Sequence, residues 1–290
     1  MMKKRILENN IDRLEIAYKL DEDVIKTILD KSNADGVVHY DDFLLIRTKT
    51  FNEFEFNYDI VCDTLPNEKG EVHKFVWGKL QWGSHRKRHI YINVSNRTFY
   101  NNTLSFIYFI ADTIGLSFYK ITKLDLAIDC NVNLVKKFYK MLRDENYTPI
   151  IFHKEFPNMN EKIPHLLNMG NGTRLRPYMN KSFDIRKVSN FKSLSLHCYN
   201  KLDEVKENNY EKQYILDKVN IKPMYRMEIR SKSIELDYTL GKMGLSHYDL
   251  YMQLLNDVIL IEFYYRLMDR IIRIKKNDNI IPLLTLLINM

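Results

Sequence analysis

Residues 123–130 read KLDLAIDC, an apolar run that carries two carboxylates. In a strand, residues two apart share a face, so Asp125, Ala127 and Asp129 point one way and Leu124, Leu126 and Ile128 the other. The second face suits a core. The first lines a sheet with negative charge, which needs a metal, a basic ligand or solvent opposite it. The stretch also has a counterpart. RLEIAYKLDEDVIK from Arg13 aligns without gaps with KLDLAIDCNVNLVK from Lys123, and HIYINVSNRTFY from His89 resembles YRMEIRSKSIEL, whose first residue is Tyr225. Two related β-α-β-β halves in one sheet-based domain account for both pairs.

Outward from that pair, DRLEIAYKL reads as a strand and DEDVIKTILDKSN as a helix with an Asp cap. From Tyr40 to Tyr100 the segments FLLIRTKTF, FEFNYDIV, KFVWGKLQWG and HIYINVSNRTFY read as strands between turn residues. NTLSFIYFIADTIGL is a helix closed by Gly115, and NLVKKFYKMLRDEN is another. Residues 147–190, rich in Pro, Asn and Gly, read as loops around a short strand or two. KSLSLHCYNK and PMYRMEIRSKSIEL are strands, LDEVKENNYEKQYILDKV is a helix, and the tail from His247 to Lys276 is helical. The expected fold is α+β, with an antiparallel sheet from two related β-α-β-β halves packed by helices. The halves span about 11–118 and 119–240, one catalytic domain over 1–240, with a helical C-terminal extension over 241–290.

Composition narrows the function classes. With 45% hydrophobic and 28% charged residues in 290, the chain can bury an ordinary globular core. No apolar run reaches a membrane span and no apolar signal core follows MMKKRILENN, so no membrane partner is expected. Three scattered cysteines without metal spacing suit a reducing cytoplasm. A net charge of +7 tilts toward a polyanionic partner.

The halves differ in charge. Where the first has Glu15, Lys19 and Asn93, the second has Asp125, Asp129 and Glu228, so one half is expected to be active and the other supporting. In YRMEIRSKS, Arg226, Glu228, Arg230 and Lys232 share a strand face. Asp125, Asp129 and Glu228 are candidates to hold Mg²⁺ or Mn²⁺ through oxygen, with Arg226 and Arg230 receiving phosphate. In SLSLHCYNK, His197, Tyr199 and Lys201 share a face. A tyrosine hydroxyl, with a pKa of about 10, needs a cation or base to attack, and Lys201 or a metal would serve. The turn SHRKRH offers Arg86, Lys87 and Arg88 to phosphate. Arg266, Arg270, Arg273 and Lys276 fall on one helical face, which could enter a groove but reads rather as the solvated side of an amphipathic helix.

IDRLEIAYKL, ITKLDLAIDC, LSLHCYNKLDE and YRMEIRSKS occur in an order similar to that of the replication-initiation factor family, over roughly Ile11 to Ile234. That family comprises Rep proteins of rolling-circle plasmids and filamentous phages, with related relaxases. The resemblance implies a nickase for single-stranded origin DNA: a Tyr attacks a phosphodiester, keeps the 5′ phosphate and frees a 3′ hydroxyl. It places Asp125 or Asp129 and Glu228 at a metal, and makes origin DNA a partner, with a host helicase and a second copy as further ones. In many members the attacking Tyr lies on the strand before the Y-N-K motif, where this chain has KSFDIRKVSNF with Phe183 and Asp184. The neighbouring candidates are Tyr178 and Tyr199; strand geometry favours Tyr199 and the family comparison an upstream position. Two alternatives stay open: a DNA-binding protein of the same fold without chemistry, and a metal-dependent nuclease without a covalent intermediate.

Overall fold

The computed structural model describes residues 7–49, 54–63, 74–83, 88–100, 103–156, 167–168, 173–178, 181–187, 193–208, 212–219 and 222–290. Strand β1 (Leu7–Lys19) gives way to helix α1 (Glu22–Lys31), whose cap is Asp21, accepting from the amides of Asp23 and Val24. Next come β2 (Val37–His39), β3 (Leu44–Arg47), β4 (Phe56–Asp63), β5 (Lys74–Trp82) and β6 (His89–Val94). Asn96–Tyr100 forms the short helix α2 instead of prolonging β6. Helix α3 (Ser105–Ile114) stops at Gly115, which takes the left-handed φ of 84° that a side chain would resist. The opening stretch then forms the end of β7 (Phe118–Cys130), and Asn133 caps α4 (Leu134–Leu142).

From Tyr147 the chain is more regular than its composition predicts. Among the described residues it forms β8 (Tyr147–Ile151), β9 (Lys154–Glu155), β10 (Leu167–Asn168), β11 (Thr173–Tyr178) and β12 (Ser182–Lys187). Strand β13 (Leu194–Asn200) leads into α5 (Lys201–Glu207), capped by Asn200, and a separate α6 (Gln213–Val219). Then follow β14 (Tyr225–Lys232), α7 (Ser233–Met243), α8 (His247–Met252) and α9 (Asp257–Ile271). The tail ends in β15 (Ile272–Lys276), β16 (Asn279–Pro282) and α10 (Leu283–Asn289). The expected helical tail therefore stops at Ile271. Ile272 and Ile274 alternate into the core while β15 pairs with both β16 and β8, so Arg273 and Lys276 do not continue the helical face of Arg266 and Arg270.

Two compact units emerge, Met1–Asp12 with Asp125–Ser246 and Asn256–Met290, and Arg13–Leu124 with His247–Leu255. Residues 241–290 are thus shared between units instead of forming a separate extension. In the first unit the strand order is β10-β11-β12-β13-β14, then the Asp125–Cys130 part of β7 and the start of β1. In the second it runs from the Phe118–Leu124 part of β7 through the rest of β1 to β6-β5-β4-β3-β2. The orders match element for element: β7 with β1, β14 with β6, β13 with β5, β12 with β4. This is the duplication that the two sequence pairs indicate, in an α+β fold with antiparallel strand pairing.

Period-two alternation gives the first unit's sheet one apolar and one polar face. Phe183 pairs with Cys198 and that with Met227; Ile185 pairs with Leu196 and that with Ile229; all six are buried. Helices cover this side. Phe138 of α4 stacks on Phe183 at 3.9 Å, and the Tyr264 hydroxyl of α9 donates to the carbonyl of Met227 at 3.1 Å. No helix among the described residues is long and apolar enough to cross a membrane.

Candidate functional site

Shifting one residue along the same strands reaches the polar face. Register aligns Ser182, Tyr199 and Arg226 in one row, Asp184, His197 and Glu228 in the next, and Arg186, Ser195 and Arg230 in the third. A cleft of about 760 Å³ opens over these rows, with α5 along one side. Its lining carries both signs: Lys181, Arg186, Lys206, Lys212 and Arg230 stand among Asp184, Glu228 and acidic residues of α5.

Tyr199 and Glu228 form the centre. The phenol donates to Glu228 Oε2 at 2.9 Å, and Arg230 Nε donates to the other oxygen at 2.6 Å. Burial, then the Glu228 charge, pushes the Tyr199 hydroxyl well above its ordinary range. Lys201 sits at the start of α5, fully buried, with its ammonium 2.8 Å from Glu204 and 5.5 Å from the Tyr199 ring centroid. Burial, then the nearby Arg226, lowers the Lys201 pKa. His197 accepts or donates at Ser195 Oγ, 3.0 Å from Nε2. Burial, then Arg230, drops its pKa to about 4, leaving a neutral imidazole at neutral pH.

Arg226 answers for one of the two aspartates in KLDLAIDC. Its Nε and Nη2 donate to the two oxygens of Asp129 at 2.7 and 2.6 Å, and neither side chain is exposed. Asn10 donates to Asp129 as well, at 2.9 Å, and Arg226 also pairs with Asp12. Asp125 is buried and bears electrostatically on Arg230. Of the three predicted metal ligands, Asp129 and Glu228 are each hydrogen-bonded by an arginine. Among the described residues, no group of three His, Cys, Asp or Glu side chains is arranged for a metal ion. A divalent cation there would compete with Arg226 for Asp129 and with Tyr199 and Arg230 for Glu228.

Of the other candidates, Arg226 is fully buried and cannot meet phosphate, whereas Arg230 lines the cleft. Arg88 is exposed at the end of its turn; Arg86 and Lys87 lie outside the described residues. Tyr178 ends β11 in register with Ser182, which is itself paired with Tyr199. Phe183, where the family comparison looks for a tyrosine, belongs to the helix-covered core. Two residues escape a linear reading. Asp12 is 214 positions from its arginine, and Asp184 joins the row of His197 only through strand pairing. Alternation in SFDIRK was the available signal for Asp184.

The second unit carries the equivalent rows with different chemistry. Glu15 pairs with Asn93, Asn93 with Lys79 and Lys79 with Asp59. With Asn93 set against Glu228, as in the sequence comparison, register sets Lys79 against His197 and Gln81 against Tyr199. Lysines neutralise the carboxylates: Lys123 lies 2.6 Å from Glu15, and Lys79 is 3.3 Å from Asp59. Among the described residues, Tyr91 on this face pairs with Ala17 and Gln81 and not with a carboxylate.

No family model matches the chain, and no curated protein matches it. The chain is similar to a solved rolling circle replication initiator protein from Geobacillus stearothermophilus. The TM-score is 0.49 and the identity 14%, over 98% of this chain and 96% of that one. The reading of the site rests on its own geometry.

Proposed function

We propose that the first unit's cleft binds single-stranded DNA and that Tyr199 opens a phosphodiester by direct attack. The observation that carries this reading is the hydrogen bond from Tyr199 to Glu228, 2.9 Å, in a cleft that also presents Arg230 and Arg186. Glu228 accepts the phenol proton as the Tyr199 oxygen–phosphorus bond forms. The bond from phosphorus to the 3′ oxygen breaks, and that oxygen takes up a proton from solvent. The products are a 5′-phosphotyrosine and a 3′ hydroxyl. Arg230 and Arg186 suit the non-bridging phosphate oxygens, while Lys201 beside the ring favours the phenolate through its charge. The sequence resemblance to replication-initiation factors points to a replication or transfer origin as the DNA concerned.

One observation favours the binding-only alternative: burial holds the proton on Tyr199 firmly while no substrate is present. The assay that separates the readings incubates labelled single-stranded oligonucleotides with the protein and resolves a covalent adduct under denaturing conditions. Wild type and Tyr178→Phe are expected to form the adduct and Tyr199→Phe to lose it. An adduct retained by Tyr199→Phe refutes the assignment. Cleavage without an adduct supports hydrolysis instead, and binding without either supports the DNA-binding module.

A further inference from the structure

The second unit exposes an aromatic pair that the chemistry at Tyr199 leaves unused. His89 of β6 and Tyr119 of β7 stack with centroids 4.4 Å apart and planes at 20°, and Tyr119 remains 45% exposed. Aromatic rings usually hide such area, because each buries a large apolar surface in a core. Cations surround this pair. Lys120 lies 5.7 Å from the Tyr119 centroid, exposed Lys19 pairs with His89 across the strands, and exposed Arg88 precedes it. The charges acting on His89 are those of Lys120 and Arg88; burial first, and these cations second, lower its pKa.

We propose that His89 and Tyr119 form a stacking platform for single-stranded DNA, with Lys19, Arg88 and Lys120 meeting the phosphates on either side. An exposed aromatic stack next to several cations, one of them the flexible Lys120 over the Tyr119 ring, matches a chain of exposed bases on a polyanionic backbone. A duplex hides its base faces, and an acidic peptide lacks them. The platform belongs to the unit whose equivalent of the cleft carries Gln81 and Asn93 in place of Tyr199 and Glu228, so it assigns that unit a strand-holding task. It stands independently of covalent chemistry.

The test is fluorescence anisotropy of a labelled oligothymidylate against the full chain at fixed salt, beside a duplex of equal length. Tyr119→Ala is expected to weaken single-strand binding about tenfold, as loss of one stacked base implies. Tyr119→Phe should bind like wild type, and Tyr119→Ala should leave duplex affinity unchanged. Equal single-strand affinity for Tyr119→Ala and wild type overturns the proposal, as does an equal loss on single strand and duplex. The readout is binding, so a chain that forms no covalent adduct at Tyr199 still gives a valid result.

Discussion

A carboxylate on this sheet acts according to the group facing it. Glu228 receives a phenol and so can take a proton. Glu228→Gln keeps a hydrogen-bond acceptor for Tyr199 but removes the base, and adduct formation should fall about 10²-fold or more, measured as single-turnover rate. Asp129 receives a fully buried guanidinium instead. Arg226→Met would strand the charges of Asp129 and Asp12, and we expect a loss of about 3–5 kcal/mol in urea unfolding. His197 gives a pH signature. Its folded pKa of about 4 lies below the unfolded value, so the unfolded chain binds the extra proton between the two. Stability attributable to His197 is complete above about pH 6.5 and declines as the pH falls toward the folded value. Urea midpoints at pH 7 and pH 4.5 should differ by less in His197→Gln than in wild type.

At the scale of elements, parity along a strand decides role. In β12, Ser182 and Asp184 look onto the cleft and Phe183 onto α4, so a tyrosine at 183 would place its ring in the helix-covered core. Phe183→Ala should cost about 3–5 kcal/mol by urea unfolding. Closeness of strands sets a second constraint. A Cβ on Gly78 would meet the Asn93 carbonyl oxygen at 2.7 Å, because β5 and β6 pair there. Gly78→Ala is expected to destabilise by about 1–3 kcal/mol, read from the same unfolding curves. The described strands between Tyr147 and Lys187, and residues 272–276, form sheet because they find hydrogen-bonding partners: β12 lies between β11 and β13, and β15 between β8 and β16.

The whole molecule is a duplication with divergent chemistry, expected from the sequence and visible in the matching strand orders. With a net charge of +7 and cationic residues in both units, DNA affinity should fall with salt. Each neutralised phosphate on a single strand contributes about −0.7 to the slope of log K against log salt. A slope near zero would show that the basic surface is incidental. Some of this was legible along the chain. Alternation in KLDLAIDC and YRMEIRSKS established which residues share a face, the gapless pair at Arg13 and Lys123 established the repeat, and Asp21 and Gly115 marked helix ends. These are local properties, carried by backbone period and capping chemistry. Tertiary structure alone decided the partners. Whether Asp129 met Arg226, whether Glu228 met Tyr199, and whether residues 272–276 continued a helix or joined a sheet depended on strand pairing between distant segments. A hydrogen bond at 3 Å depends on register, and register is a property of two strands, not of one.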